Sequence, residues 1–330
     1  MDSASARELA MQVRAGNRRA LAQVITAIES SRRADREVAR TLLKELTPHS
    51  GQSFRIGISG VPGVGKSTFI ESLGNHLIDA GYKVAVLAVD PSSALSGGSI
   101  LGDKTRMERL SQRLEAFIRP SPAGDTLGGV ARRTREAMLI TEAAGFDIVL
   151  VETVGVGQSE TTVSRMTDMF VLMLQPGSGD ELQGIKRGIV ELADLILVNK
   201  ADGALALAAE RTVTDYRKAL TFMHPRTANW EVLVESCSAL SGEQTPHIWE
   251  ILERFRLSQT ETAALEQNRA KQAKNWMWNE IGADLTDRLK DSPQVKVRIA
   301  ELEDAVANGT LSPTTAADEL VATFFGDNNT

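Results

Sequence analysis

The stretch that most constrains the fold of this 330-residue chain is Gly60-Val61-Pro62-Gly63-Val64-Gly65-Lys66-Ser67. It directly follows the apolar run 54–58 and opens a helical pattern over 67–80. The three glycines let the backbone curl until successive N–H groups face one anionic centre at the positive end of a helix. This is the G-x-x-x-x-G-K-S phosphate loop in the strand–loop–helix setting it requires. Lys66 is placed to reach the β- and γ-phosphates of a nucleotide. Ser67 can give its hydroxyl to Mg²⁺, and Thr68 follows it at the edge of the same cradle.

Such a loop needs a sheet around it, and the chain supplies one. Short runs rich in Val, Ile and Leu recur at 84–89, 148–151, 169–174, 195–198 and 232–234. They are apolar on both faces, as strands covered on both sides of a parallel sheet are. Helical patterns at 130–144 and 205–220 lie between them, so the expected fold is α/β: a P-loop NTPase with a mostly parallel, doubly wound sheet. Residues 1–50 read as short amphipathic helices through Leu9, Val13, Leu21, Val24 and Ile25, then Val38, Leu42 and Leu43. After about residue 256 the strand pattern stops. Leu265, Trp276, Ile281, Leu285 and Leu289 mark a long helix, and Ser312-Pro313 opens another. The expected organisation is an N-terminal helical extension (1–50), a nucleotide-binding domain (51–256) and a C-terminal helical arm (257–330). On the long helix Trp276 and Trp278 point to nearly opposite faces, so that either one packs into a core while the other faces a dimer partner, or both are partly buried within one chain.

Asn199-Lys200-Ala201-Asp202 ends the run 195–198 and identifies the base. A carboxylate at Asp202 can accept from N1–H and the 2-amino group of guanine. Adenine lacks that donor pair and would leave a buried acceptor unmet, at about 1–3 kcal/mol. Ser238-Ala239-Leu240, after 232–234, stands where backbone amides meet the guanine O6. GTP or GDP with Mg²⁺ is therefore the expected ligand. Acidic groups at strand ends are the candidates for metal and hydrolysis: Asp90 after 84–89, Glu152 after 148–151, and Asp103 in the polar loop 96–103. One or two of them suffice for Mg²⁺, directly or through water. In Glu152-Thr153-Val154-Gly155 the residue after the glycine is Val156, where Ras-like proteins carry a water-orienting Gln. The Val156 side chain can neither donate nor accept, and Gln158 is two positions on, so slow intrinsic hydrolysis raised by a partner is expected.

Composition excludes several classes. A net charge of −6 argues against broad nucleic-acid or anionic-membrane binding. The single cysteine, Cys237, forms no disulfide framework and fits a reducing, cytosolic compartment. No stretch reaches the roughly 20 apolar residues that span a bilayer. Arg7, Arg14, Arg18 and Arg19 lack the apolar segment of a secretory signal.

The phosphate loop, Val89-Asp90-Pro91-Ser92-Ser93, Gly102-Asp103-Lys104-Thr105-Arg106-Met107, the string Glu152-Thr153-Val154-Gly155-Val156-Gly157-Gln158-Ser159-Glu160, and Asn199-Lys200-Ala201-Asp202 together closely resemble the MeaB/ArgK family, a branch of the SIMIBI-class GTPases. The resemblance runs from about residue 10 into the C-terminal helices. It implies a chaperone of an adenosylcobalamin-dependent methylmalonyl-CoA mutase that couples GTP to cofactor delivery and to protection of the mutase. It also implies a homodimer formed through the 257–330 arm, and a further switch at Gln175-Pro176-Gly177-Ser178-Gly179-Asp180-Glu181, ahead of Lys186 and Arg187. Nothing in the chain supports an arginine-transport kinase. A nickel-delivery GTPase, the alternative on a shared fold, needs Cys or His clusters. One cysteine and four dispersed histidines do not make them. A signal-recognition-type GTPase lacks its Met-rich or basic RNA-binding module here, and no acceptor site marks a small-molecule kinase.

Overall fold

The structure is a computed structural model that describes residues 3–30, 32–89, 107–120, 127–153, 159–177, 187–223 and 225–326. The chain divides into two compact units, Met1–Gln267 and Asn268–Thr330.

The first unit is built on seven strands: β1 (Phe54–Gly60), β2 (Val84–Val89), β3 (Ala116–Arg119), β4 (Ile148–Thr153), β5 (Met169–Leu174), β6 (Leu195–Val198) and β7 (Leu233–Ser236), in the order β3-β2-β4-β1-β5-β6-β7. Every ladder among the described strands is parallel. The strands alternate strictly between two cores. Val84 and Val86 enter one core, while Ala85, Leu87 and Val89 enter the other, as the two-residue strand period demands.

One core is closed by α4 (Lys66–Asp79) and α10 (Thr245–Glu261), which bring Phe69, Ile70, Leu73, Trp249, Leu252 and Phe255 against Ile56, Ile58 and Val171. Between α4 and α10 the chain forms α5 (Glu108–Ser111), α6 (Leu127–Ala143), α7 (Ser159–Ser164), α8 (Arg187–Val190) and α9 (Ala206–Leu220). Helices α6 and α9 close the other core. The three N-terminal helices, α1 (Ser3–Arg14), α2 (Arg18–Glu29) and α3 (Arg33–Leu46), join it, with Leu21, Val24, Ile25, Leu42 and Leu46 all buried there. Polar ties fix α2 to the sheet edge. Arg119 on β3 pairs with Glu29, and Arg18 donates to the carbonyls of Arg113 (3.2 Å) and Leu114 (2.7 Å). That cover protects an edge strand too short and too charged to stand out in the sequence.

At the N-terminal rim of the sheet one device is used three times. The N–H of Asp147 donates to Lys83 O (2.9 Å) while its carboxylate accepts the Lys83 N–H (2.8 Å). Asp168 makes the same reciprocal pair with Arg55 (2.9 and 2.8 Å), and Asp194 makes it with Phe170 (2.8 and 2.8 Å). Each Asp immediately precedes a strand and takes up an N–H that the ladder would leave bare. Arg55 is further held by Glu142 of α6, at 2.5 and 2.9 Å.

The second unit contains most of α11 (Ala264–Asp291), with α12 (Pro293–Ala307) and α13 (Pro313–Phe325). Ser312 caps α13 by accepting the Thr315 N–H, with Pro313 in the first turn. Helices α12 and α13 pack through Val295, Leu302 and Ala316. No residue of α11 is buried. Trp276 is half-buried and its indole donates to Glu280 (3.1 Å), whereas Trp278 is 65% exposed. No helix among the described residues is long and apolar enough to cross a membrane.

Asp194 is fully buried, and that burial pushes its carboxyl above its ordinary value of 3.8 despite the opposing pull of Arg226, Thr227 and Phe170. Raised in the fold, it contributes stability present below the unfolded value and lost as pH climbs through the folded one. Wild type should therefore be most favoured over Asp194→Asn below about pH 3.8 and lose that lead as pH rises. Urea unfolding of both proteins across pH checks this. A stability difference that is flat, or that grows with pH, would contradict the assignment.

Candidate nucleotide site

The order of strands places a crevice beside β1. From β1 the chain crosses toward β2, whereas from its neighbour β5 it crosses to β6 on the other side. Ligands of open α/β sheets bind outside the carboxyl ends of strands at such a switch point. The loop 61–65 leaves β1 there, and the chain enters α4 at Lys66.

Gly60 sits so close to β5 that a Cβ would run into Met173 O, and Gly65 (φ +98°) would drive one into Asn199 Nδ2. Val61, Pro62 and Gly63 face solvent, while Val64 is buried. Lys66 is 7% exposed, with its ammonium donating to Gly60 O (2.7 Å) and Val61 O (3.3 Å). The positive charge is thus held over the loop. Ser67 donates to Glu152 Oε1 at 3.1 Å, joining the first turn of α4 to the end of β4, and Thr68 is exposed beside it. A hydroxyl and a carboxylate side by side form the hard oxygen set that Mg²⁺ favours. Behind them Thr153 donates to Ser59 (2.9 Å), a fully buried hydroxyl pair between β4 and β1. Asp90 and Asp103 lie outside the described residues, as do residues 154–158 and 178–186. Gln175 to Gly177 is described, and Gly177 N–H donates to Thr212 on α9 (3.0 Å).

The second half of the site is tied to the first by one side chain. Asn199 is 2% exposed; its Nδ2 donates to Val64 O (2.8 Å) and its Oδ1 accepts the Ala239 N–H (2.9 Å). An amide suits this place because one end must donate and the other accept. Lys200 adopts a left-handed φ of +61°, turning the chain sharply toward Asp202. Ser238 donates to the Asp202 carboxylate and accepts the Ser241 N–H (3.2 Å), so the carboxylate is oriented from the neighbouring loop. Gln244 accepts the Ser238 N–H (3.1 Å). Leu240 is 85% exposed at the lip. The structure thus brings together Gly60 to Thr68 and Glu152 on one side, and Asn199, Lys200, Asp202, Ser238, Ala239 and Leu240 on the other. Sequence reasoning gave no role in the site to Ser59, Thr153, Cys237 or Gln244. Only their nearness to motif residues hints at them.

A parallel sheet with a phosphate-type loop at its switch point and a buried Asn joining that loop to a polar base-side turn defines a P-loop protein of the GTPase class. Comparison with known proteins narrows this. The family model described as "Methylmalonyl Co-A mutase-associated GTPase MeaB" matches residues 21–294. A relative from Caulobacter vibrioides that bears a GTPase name is 54% identical over 94% of this chain and 95% of its own. A mouse protein described as "Methylmalonic aciduria type A homolog, mitochondrial" is 46% identical over 94% of this chain and 77% of its own. The crystal structure of an "LAO/AO transport system kinase" superposes with a TM-score of 0.78 at 36% identity, covering 97% of this chain and 98% of that one. The chain belongs to the MeaB family of GTPases.

Gly65→Ala tests the junction between the two halves. The left-handed φ disfavours any L side chain by about 1–2 kcal/mol, and the methyl would displace Asn199 from Val64. We expect a loss of about 2 kcal/mol in urea unfolding and at least roughly tenfold weaker GTP binding by calorimetry. Wild-type affinity in this variant would show that the contact is dispensable.

Proposed function

We propose that this protein is a GTP-binding and GTP-hydrolysing chaperone of an adenosylcobalamin-dependent methylmalonyl-CoA mutase, coupling GTP to cofactor delivery and to protection of the mutase. The observation that carries the guanine half of this reading is the Asp202 carboxylate, oriented by Ser238 beside an Asn199 locked to the phosphate loop. Membership of a methylmalonyl-CoA mutase-associated family supports the partner.

In this reading residues 60–68 cradle the phosphates, with their N–H groups and the dipole of α4 facing negative charge. Lys66 sets its ammonium against the β- and γ-phosphates, where charge builds as the γ-phosphoryl departs. Asp202 accepts from N1–H and the 2-amino group, and the turn Ser238-Ala239-Leu240 is placed against O6, with its Ser238 and Ala239 N–H groups held by Gln244 and Asn199. Ser67 and Glu152 would hold Mg²⁺, joined by Asp90 and Asp103. When bound, the ion neutralises phosphate charge and aligns the transferred group. Water then attacks the γ-phosphorus to give GDP and phosphate. Val156 offers the attacking water no hydrogen bond, so intrinsic turnover is slow and the mutase raises it by ordering the site.

The proposed domain plan is a GTPase domain at 51–256 between helical extensions at 1–50 and 257–330. The C-terminal arm is the proposed homodimer contact. Its helix α11 leaves Met277, Trp278, Ile281 and Leu285 at 51%, 65%, 40% and 48% exposure. Two copies of this helix set side by side would bury that stripe. The proposed compartment is the cytoplasm, consistent with one buried cysteine kept as a thiol.

Two experiments separate the layers of this reading. Asp202→Asn should weaken GTP by at least roughly tenfold and improve xanthosine triphosphate, because the amide donates where the carboxylate accepted; unchanged base preference would remove Asp202 from its role. The purified protein, loaded with GDP or a GTP analogue, should capture methylmalonyl-CoA mutase in a nucleotide-dependent way, and the complex should hydrolyse GTP faster than the protein alone. Equal rates with and without the mutase would end the chaperone reading while leaving the GTPase intact.

A further inference from the structure

Cys237 is the one cysteine of the chain, and its surroundings assign it more than packing. It grips the turn 198–201 in three places. Its N–H donates to Val198 O (2.9 Å), its carbonyl accepts the Ala201 N–H (3.0 Å), and its thiol lies 3.6 Å from Asn199 Oδ1. The first two contacts extend the β6–β7 ladder past its last strand pair, Val198 with Ser236. The third reaches the amide that joins Val64 of the phosphate loop to the Ala239 N–H. Within this grip Lys200 is held at φ +61°, a conformation that strains any residue but glycine.

We propose that Cys237 is a positioning residue for nucleotide binding: its thiol donates to Asn199 Oδ1 and holds the amide in the register that couples the phosphate loop to the base-side loop. The proposal rests on the reading of residues 199–202 as the guanine reader. Asn199 Oδ1 accepts from two donors, Ala239 N–H and the thiol, so both of its lone pairs are directed. Burial pushes the Cys237 thiol up to about 12, which keeps the proton on sulfur and the group a donor throughout the neutral range. The group is also 1% exposed, and an ordinary thiol reagent meets it only when the 198–201 turn opens. Asp202 is oriented separately by Ser238. Loss of the thiol therefore loosens the amide and, through its bond to the Ala239 N–H, the turn placed against O6, and leaves the carboxylate's reading of the 2-amino group intact.

That separation defines the test. Equilibrium binding of GTP, ATP and inosine triphosphate is measured on the full-length protein as wild type, Cys237→Ala and Cys237→Ser. Preference of the wild type for GTP over ATP tests the guanine reading by itself. On the proposal, Cys237→Ala weakens GTP and inosine triphosphate by the same factor, about fivefold, the loss of one modest hydrogen bond. Their ratio stays at the wild-type value, because both bases carry O6. Cys237→Ser keeps a donor on the same Cβ and restores binding to within about twofold. GTP binding by Cys237→Ala within twofold of wild type would overturn the proposal, as would a serine variant as weak as the alanine one. So would a changed ratio of GTP to inosine triphosphate. Should Cys237→Ala not fold, iodoacetamide labelling of wild type gives a second readout. The labelled protein, its turn wedged open at the only thiol, should lose GTP binding while keeping its folded circular dichroism; labelled protein that binds GTP normally would refute the role.

Discussion

The geometry of the candidate site depends on one amide. Asn199 stands at the end of β6, two strands away from β1, yet its side chain reaches Val64 in the loop that leaves β1. The same amide takes up Ala239 N–H beyond β7. Three loops from strands that are not all neighbours are thereby fixed relative to each other. The bridge requires a group with a donor at one end and an acceptor at the other; a carboxylate would face Val64 O with a second acceptor. It also requires Gly65, since any larger residue would occupy the space of the amide nitrogen. The proposed phosphate side and base side of the site are in this way parts of one arrangement.

Such a bridge is useful only if the strands beneath it do not slip. At the opposite rim the reciprocal Asp pairs supply that restraint, tying Lys83 to Asp147, Arg55 to Asp168 and Phe170 to Asp194. Two of these ties, at Arg55 and Phe170, act on β1 and β5, the strands that flank the switch point. A one-residue slip would invert the alternation of Val84, Val86 with Ala85, Leu87 between the two cores. The restraint has a cost: the Asp194 carboxyl is fully buried, and burial outweighs its favourable neighbours. The sheet thus carries register at its amino edge and chemistry at its carboxyl edge.

Much of this was legible before any coordinates. Six of the seven strands announce themselves as apolar runs, and β2, β5 and β6 have the bounds the runs suggest. Strand β3 does not, because Ala116 to Arg119 is four residues among Arg113, Glu115 and Arg119 and is stabilised by its cover rather than its composition. Helix α12 falls within the arm expected to be helical, and Val295, Ile299 and Leu302 form its apolar face. In the candidate site, residues proposed to meet phosphate or base are named by motif, since their spacing is local. The contacts that hold them are not local: Ser59 meets Thr153 at a separation of 94 residues, and Asn199 meets Ala239 at 40. Such partners follow from sheet order and register, which no local pattern encodes.

The division between local motif and long-range support has a functional counterpart. Groups that would hold the nucleotide, Lys66, Ser67, Asn199 and Ser238, sit just past strand ends or in the first turn of a helix, and each is held by a hydrogen bond, to Gly60, Glu152, Val64 and Asp202 in turn. The group that would direct water falls at Val156, whose side chain has no polar atom to offer. On the proposed reading, binding is complete while hydrolysis lacks a component. A switch built in this manner keeps its ligand through a rigid frame and leaves the timing of hydrolysis to whatever completes the frame from outside. For the proposed chaperone that is the useful arrangement, because the signal ends only once the partner is in place.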